Sequence, residues 1–207
     1  MAYSNWLIPS KTQGSGNDTV NVTAASDNTG RSARQTQITF QAANVADVVR
    51  TVIQAGKPEF VNIQSAAAVS KDGVSVLTIE GTTNSSKLTF SLASGATLVL
   101  TLPSAYNANS IETNNGAAIM GDPGASAEFP FSIQFSNIAK NGQVVEKTAQ
   151  LIVTDAAGHT ATCTIMQAAG DATLEVSPAT VNLDWNAATE GTSASFAVTS
   201  NTNWSIE

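Results

Sequence analysis

Short runs in which apolar residues alternate with Thr, Ser, Gln or Asn fill almost the whole chain, and a period of two is typical of β-strands. Turn sequences rich in Gly, Asn and Asp separate the runs, because these residues accept the backbone conformations of tight turns. Short strands at this spacing predict an all-β protein made of β-sandwiches. The predicted strands are 19–23, 35–41, 49–54, 74–80, 87–92, 97–102, 129–135, 149–154, 160–167, 181–185 and 195–199.

The charge and the rare reactive residues exclude several classes of function. Nine Lys and Arg residues against sixteen Asp and Glu residues give a net charge of -7, whereas nucleic-acid binding requires clustered cations. A Ser-His-Asp or Cys-His site would have to use the single histidine, His159, and a tetrahedral zinc site would lack its usual ligands, since Cys163 is the single cysteine. We therefore expect no nucleic-acid partner, no metal, no cofactor and no enzymatic activity. His159 is expected to be a solvated turn residue and Cys163 a small buried apolar residue.

The chain repeats parts of its own sequence. Residues 37–40 resemble 150–153, and residues 52–56 resemble 165–170. The two matching pieces have the same spacing in both places, and a basic residue, Arg34 or Lys147, lies just before each copy. A second match joins Asn5-Trp6-Leu7-Ile8 near the start to Asn203-Trp204-Ser205-Ile206 near the end. Repeats of this kind indicate a tandem array of similar units.

The positions of the repeats predict one complete unit and two partial ones. We expect residues 1–57 to form the back half of a unit, 58–170 a complete sandwich with an insertion near 106–122, and 171–207 the front half of a further unit. One hypothesis is that 171–207 completes a sandwich with 1–57 of the same chain or of a neighbouring chain. The alternative is that a continuation of the chain completes the last unit.

Several of these sequences resemble the BACON family of Bacteroidetes-associated carbohydrate-binding domains, which are immunoglobulin-like sandwiches. The motifs that carry the resemblance are Leu174-Glu175-Val176-Ser177-Pro178, Ser200 to Trp204, the Gly-rich turn 14–18, Asn28-Thr29-Gly30-Arg31 and Val52 to Gly56. The resemblance covers most of 1–57 and 171–207, and it carries no catalytic residues. Similar repeats occur in virion proteins of crAss-like bacteriophages that infect gut Bacteroidetes.

The resemblance implies two functional readings. The first is a virion structural protein that decorates a capsid, forms a head fibre or belongs to a tail, with other copies of itself, capsid proteins or fibre proteins as partners. The second is a carbohydrate- or mucin-binding module of a bacterial surface protein or a phage adhesion protein. The sequence shows no signal peptide and no apolar run long enough to span a membrane, so we expect a virion location, with the bacterial cell surface as the alternative, and no membrane partner.

Candidate residues follow from these two readings. For glycan contact, the aromatic residues expected on the surface are Tyr3, Phe60 and Tyr106. The tryptophans Trp6, Trp185 and Trp204 are instead expected to pack in cores. For assembly, the candidate strand residues are the apolar side chains of the C-terminal part: Val176, Val181, Leu183, Trp185, Phe196 and Val198.

Overall fold

The computed structural model describes residues 3–183 and 193–207, and these residues form fifteen strands and no helix. This confirms the all-β prediction. No helix in the described ranges is long and apolar enough to cross a membrane. The strands are β1 Leu7–Pro9, β2 Val22–Ala24, β3 Arg34–Phe40, β4 Val48–Gln54, β5 Val61–Ile63, β6 Ala66–Val69, β7 Val74–Thr83, β8 Leu88–Leu92, β9 Ala105–Ala108, β10 Ile111–Asn114, β11 Phe129–Ile138, β12 Lys147–Asp155, β13 Thr160–Gln167, β14 Leu174–Ser177 and β15 Ala197–Ser200.

Two sheets lie within residues 61–167. The five-stranded sheet has the order β10-β9-β11-β7-β5, and the four-stranded sheet has the order β6-β13-β12-β8. All pairs are antiparallel except β6 with β13, which run parallel. The two sheets contact each other through β5, which packs against β12 and β13, so they form a β-sandwich.

The core between the two sheets follows the alternation of the strands. In β11, Phe129, Phe131, Ile133 and Phe135 are buried, while the residues between them face outward. Leu151, Val153, Cys163 and Ile165 of the facing sheet have no exposed surface. The ring of Phe90 lies 4.8 Å from that of Tyr106 and 5.7 Å from that of Phe131, which ties β8 to the opposite sheet.

Three separate hairpins lie on either side of this sandwich. We call residues 1–57 the N-terminal segment, 58–170 the central segment and 171–207 the C-terminal segment. The N-terminal segment contains the pairs β1-β2 and β3-β4, and the C-terminal segment contains the pair β14-β15. Each of these three sheets has only two strands among the described residues.

The predicted strand 97–102 is wrong. Thr97 and Leu98 both donate their backbone N–H groups to the carbonyl oxygen of Thr148, so this part of the chain crosses the sheet edge without forming a ladder. Leu98 fills the core, whereas Val99 is fully accessible. The alternation in this run therefore reflects Leu98, Leu100 and Leu102, which pack against the core without forming a strand.

The predicted insertion near 106–122 begins as a hairpin that the strand prediction missed. Strands β9 and β10 are joined by Asn109 and Ser110, which have positive φ values of 48° and 65°. This two-residue geometry suits the twist of a hairpin. The hairpin extends the five-stranded sheet at its outer edge.

The two copies of the repeated hairpin have the same register. In β3-β4, Arg34 lies opposite Gln54. In β12-β13, Lys147 lies opposite Gln167, and each of these residues is 113 positions (147 − 34 and 167 − 54) after its counterpart. The repeat seen in the sequence is therefore also a repeat of strand pairing.

Candidate assembly site

An asparagine fixes the turn before each copy of the repeated hairpin. Asn28 donates from Nδ2 to the carbonyl oxygens of Ser32 and Ala55, at 2.8 and 3.1 Å. These bonds hold the turn against the end of β4, just before the central segment begins. The same bonds recur 113 positions later, where Asn141 Nδ2 donates to Val145 O at 2.8 Å and to Ala168 O at 3.0 Å.

A second asparagine holds the start of each following segment. Asn84 Oδ1 accepts the N–H of Phe60 at 2.8 Å, and Asn84 Nδ2 donates to Pro58 O at 3.0 Å. In the C-terminal segment, Asn201 repeats both bonds, with the N–H of Thr173 at 2.8 Å and with Asp171 O at 2.8 Å. Each connection between segments is therefore bonded on both sides by side-chain amides, which restricts its movement.

Arg31 joins the N-terminal segment to the central segment. Its Nη1 and Nη2 atoms donate to the two carboxylate oxygens of Asp122 at 2.6 and 2.7 Å, and its Nε lies 2.9 Å from Glu59 Oε1. Nη2 also donates to Asn84 O at 2.5 Å. The guanidinium holds the pKa of Asp122 below its usual range, since a bidentate hydrogen bond favours the ionised carboxylate.

A different set of bonds joins the central segment to the C-terminal segment. Lys71 forms an ion pair with Asp171 at 2.5 Å, and Asn201 Nδ2 donates to Gly142 O at 3.1 Å. The ion pair raises the pKa of Lys71 and lowers that of Asp171, and it lies in solvent. Solvent-exposed pairs of this kind contribute little to stability.

One apolar face of the β3-β4 hairpin is partly uncovered. We call Ile38, Phe40, Val48 and Val52 the hairpin face, because the alternation of the two paired strands puts them on one side. Phe40 is 43% exposed and Val48 is 41% exposed. At the matching positions of β12 and β13, Leu151, Val153 and Ile165 are all 0% exposed, so the same face is a core surface in the central segment.

The C-terminal segment also has an uncovered apolar face. We call Leu174, Val176, Phe196 and Val198 the C-terminal face; Val176 lies directly opposite Val198 in the β14-β15 pair. Leu174 lies opposite Ser200, as Val61 lies opposite Thr83 in the central segment. Phe196 lies four residues before Ser200, and Ile79 lies four residues before Thr83, so these two residues occupy matching positions. Phe196 is 50% exposed, whereas Ile79 is 0% exposed.

The predicted assembly residues lie mainly in this exposed region. Val176, Leu183 and Phe196 are exposed, and Val181 and Val198 are half-buried. Trp185 lies outside the described residues. The structure places Val176, Phe196 and Val198 together on the C-terminal face, and it shows no strand at Val181 or Leu183.

The aromatic candidates for glycan contact do not form one surface. The prediction that Tyr106 is exposed is wrong, because Tyr106 is 3% exposed and packs against Phe90. Its burial raises the pKa of the phenol to about 12. Tyr3 and Phe60 are half-buried. The ring of Tyr106 is therefore closed to a sugar face.

The tryptophans differ in their environments. Trp6 is buried and lies under the guanidinium of Arg34, 4.8 Å from the ring centroid, which confirms that it packs inside the N-terminal segment. Trp204 is 50% exposed, so the expectation of core packing is wrong for this residue. Few described residues surround Trp204, since no third strand joins β14 and β15. Trp185 cannot be placed among the described residues.

His159 and Cys163 occupy the positions expected for them. His159 is exposed at the β12-β13 turn, where its Nδ1 atom lies 2.8 Å from Asp155 Oδ2. The buried Asp155 also accepts the backbone N–H groups of Ala157 and His159, so this pair organises a turn. Cys163 has no exposed surface, and burial raises the pKa of its thiol. The described residues contain no group of three or more His, Cys, Asp or Glu residues that could hold a metal ion.

A shallow polar groove crosses the outer face of the five-stranded sheet. Its lining includes Gln64, Glu80, Asn107 and Ser132, whose side chains can donate or accept hydrogen bonds. Phe131 is the aromatic residue of the lining, and its ring is buried toward the core. The groove therefore offers polar groups but no open aromatic surface.

Comparison with known families assigns one part of the chain. Residues 1–55 match the BACON family model. The BACON description is "Putative binding domain, N-terminal", and the match covers β1 to β4 together with the turn that contains Asn28 and Arg31. A search of curated proteins found no match to the chain. The BACON match supports the resemblance that the sequence motifs indicated for this segment.

Sequence reasoning did not identify the residues that join the segments. Arg31 and Asn28 lie in a motif that the family resemblance had singled out, but the partners of Arg31, which are Asp122, Glu59 and Asn84, are distant in sequence. The recurrence of Asn28 as Asn141 at the repeat spacing is a signal that could have identified the turn asparagines. Nothing comparable marks Asp122, because the pairing of Arg31 with Asp122 depends on how two segments meet.

Proposed function

We propose that this chain is a non-enzymatic structural protein whose immunoglobulin-like units mediate protein–protein assembly, in the setting of a bacteriophage virion. The observation that carries the proposal is the pair of uncovered apolar faces, at positions that are buried in the central segment. Phe40 and Phe196 are 43% and 50% exposed, whereas Val153 and Ile79 at the matching positions are 0% exposed. Contiguous exposed apolar surface on a folded protein marks a site of interaction.

The bonded connections between segments support the same proposal. A structural protein transmits a fixed geometry from one unit to the next, and Asn28, Arg31 and Asn84 restrict the first connection in this way. Asn141 and Asn201 restrict the second connection. The virion setting comes from the family analogy, in which repeats of this type occur in phage particles.

A second candidate function is glycan binding, as a module of a cell-surface or adhesion protein. The family match of residues 1–55 to a binding domain supports it, and so do the polar side chains of the groove, such as Glu80 and Asn107. Sugar rings in protein sites are commonly covered by aromatic side chains, and the groove's Phe131 is buried. The exposed apolar faces therefore favour assembly over glycan binding.

The test is the location of the native protein. An antibody raised against the 207-residue chain should detect it in the particle band of a density gradient prepared from a lysed source culture. The same purified chain should give no saturable signal on a glycan array. Detection in the bacterial envelope fraction together with saturable glycan binding would reject the virion proposal in favour of the second candidate.

A further inference from the structure

The hairpin face and the C-terminal face correspond to two surfaces that already pack together in the central segment. There, β5 of one sheet contacts both β12 and β13 of the other. The hairpin face matches the β12-β13 side of this contact, and the C-terminal face matches the β5-β7 side. Six apolar residues of the central core have an apolar counterpart: Leu151 in Ile38, Val153 in Phe40, Ile165 in Val52, Val61 in Leu174, Ile63 in Val176 and Ile79 in Phe196. At two further core positions, those of Ala149 and Cys163, the hairpin carries Thr36 and Arg50.

From this correspondence we propose that the C-terminal face of one copy of the chain docks on the hairpin face of a second copy. The inference rests on the proposed function in assembly, and it names the partner and the contact. The docked pair would reproduce the sandwich of the central segment with the two halves supplied by different copies. Because the two faces are different surfaces, the contact is head-to-tail and continues into a ring or a filament.

Contacts within one chain cover the hairpin face only in part: Ile38 and Val52 are half-buried, whereas Phe40 remains 43% exposed. Among residues 3–183 and 193–207, no β-pair and no hydrogen bond joins the N-terminal segment to the C-terminal segment. The bonds that the C-terminal segment makes to earlier parts of the chain go to the central segment, at Gly142 and Lys71. The exposed parts of both faces are therefore accessible to a second copy.

Charge complementarity also favours this pairing. The N-terminal segment carries five Lys and Arg residues and three Asp residues, which gives a charge of +2 (5 − 3). The C-terminal segment has five Asp and Glu residues and no Lys or Arg, which gives −5 (0 − 5). Opposite charges attract the N-terminal segment to the C-terminal segment, while two like segments repel each other. Arg50 projects from the hairpin face itself, opposite Ile38.

The experiment measures molar mass by light scattering after size exclusion, over a range of concentrations of the intact 207-residue chain. We expect the mass to rise above 21.3 kDa with concentration, and the association to weaken as the salt concentration rises. Phe40→Asp and Phe196→Asp should each weaken association by at least about tenfold, since a charge on an apolar contact must be desolvated. Val99→Asp, at an exposed apolar site of the central segment, is the matched control and should associate as the wild type does.

A mixture of the two variants gives the decisive measurement. The Phe40→Asp chain retains an intact C-terminal face and the Phe196→Asp chain retains an intact hairpin face, so one of each should form a dimer of twice 21.3 kDa and stop there. Circular dichroism of each variant checks that it folds, and Phe40→Thr and Phe196→Thr provide uncharged replacements at the same positions.

Three outcomes would overturn the inference. They are a wild type that stays at 21.3 kDa at all concentrations, face variants that associate as well as Val99→Asp does, and a mixture of the two face variants that remains monomeric. The antibody experiment still decides the proposed function in each case. If the chain is a particle component but associates through another surface, the proposed function stands and this inference is wrong.

Discussion

Replacement of Arg31 should loosen the N-terminal segment from the central segment. The guanidinium makes two hydrogen bonds to Asp122 and two to Asn84 O, and it forms an ion pair with Glu59. Hydrogen bonds to charged groups contribute about 1.5–3 kcal/mol each, and the loss of the cation leaves two carboxylates side by side. We expect Arg31→Met to destabilise the N-terminal segment by about 3 kcal/mol, because the bonds share one side chain and are not additive.

Urea unfolding monitored by Trp6 fluorescence measures this effect. Trp6 is buried in the N-terminal segment, and a Trp185→Phe, Trp204→Phe background leaves it as the one tryptophan. With a denaturant dependence of about 1–3 kcal/mol per molar urea, a loss of about 3 kcal/mol shifts the midpoint down by about 1–3 M. Arg31→Lys should recover less than half of the shift, because an ammonium group cannot bind Asp122 in bidentate fashion.

Two results would refute this reasoning. One is a midpoint shift in Arg31→Met of less than about 0.3 M, which would mean that the contact contributes no more than a surface ion pair. The other is an equal shift in the unfolding midpoint of the central segment, which circular dichroism monitors. An equal shift would indicate general destabilisation. A double-mutant cycle with Asp122→Asn should give a coupling energy of at least about 1 kcal/mol.

Three further predictions concern the core, the repeated turn and pH. Phe90→Ala should destabilise the central segment by about 3–5 kcal/mol in urea unfolding, because Phe90 is 2% exposed and contacts both sheets; a loss below 1 kcal/mol would contradict this packing. Asn141→Ala should lower the stability of its segment by about 2–4 kcal/mol in the same assay, because Asn141 is fully buried. Asn28→Ala should lower stability by about half as much, because Asn28 is only half-buried. Equal losses would show that burial does not set the difference. The pKa of Asp122 is lowered in the folded state, so its contribution is present above its usual value of 3.8 and is lost as the pH falls through the lowered value. The Trp6 midpoint should therefore decrease below about pH 4 in the wild type and much less in Arg31→Met; identical pH profiles would argue against the ion pair.

The strands were predictable where one face of a sheet is buried. In β13, Cys163 and Ile165 face the core while Thr160 and Met166 face outward, and the predicted range 160–167 matches the strand. The register of the repeat was also visible in sequence, since the pairs Arg34–Gln54 and Lys147–Gln167 have equal spacing.

The residues that were misplaced depend on contacts that a local pattern does not carry. Tyr106 belongs to the hairpin β9-β10, and it is buried because β9 pairs with β11 far along the chain. Trp204 has a local sequence similar to that of Trp6, yet it is exposed because few described residues surround it. Thr97 to Leu102 alternates as a strand does but lacks a partner strand in the described structure. The joining role of Arg31 is equally invisible without the position of Asp122.

The two connections between segments should respond unequally to mechanical force. At the first connection, the partly buried guanidinium of Arg31 binds Glu59, Asp122 and the carbonyl oxygen of Asn84. Asp122 lies at the end of the predicted insertion. The second has Val144 at the position that corresponds to Arg31, and it is joined by the solvent-screened pair of Lys71 with Asp171 and by the hydrogen bond from Asn201 to Gly142 O. When the chain is pulled from both ends, the link after residue 170 should yield first and the one near residue 57 later. Extra sequence in one unit would then act as a reinforcement that sets the order of extension.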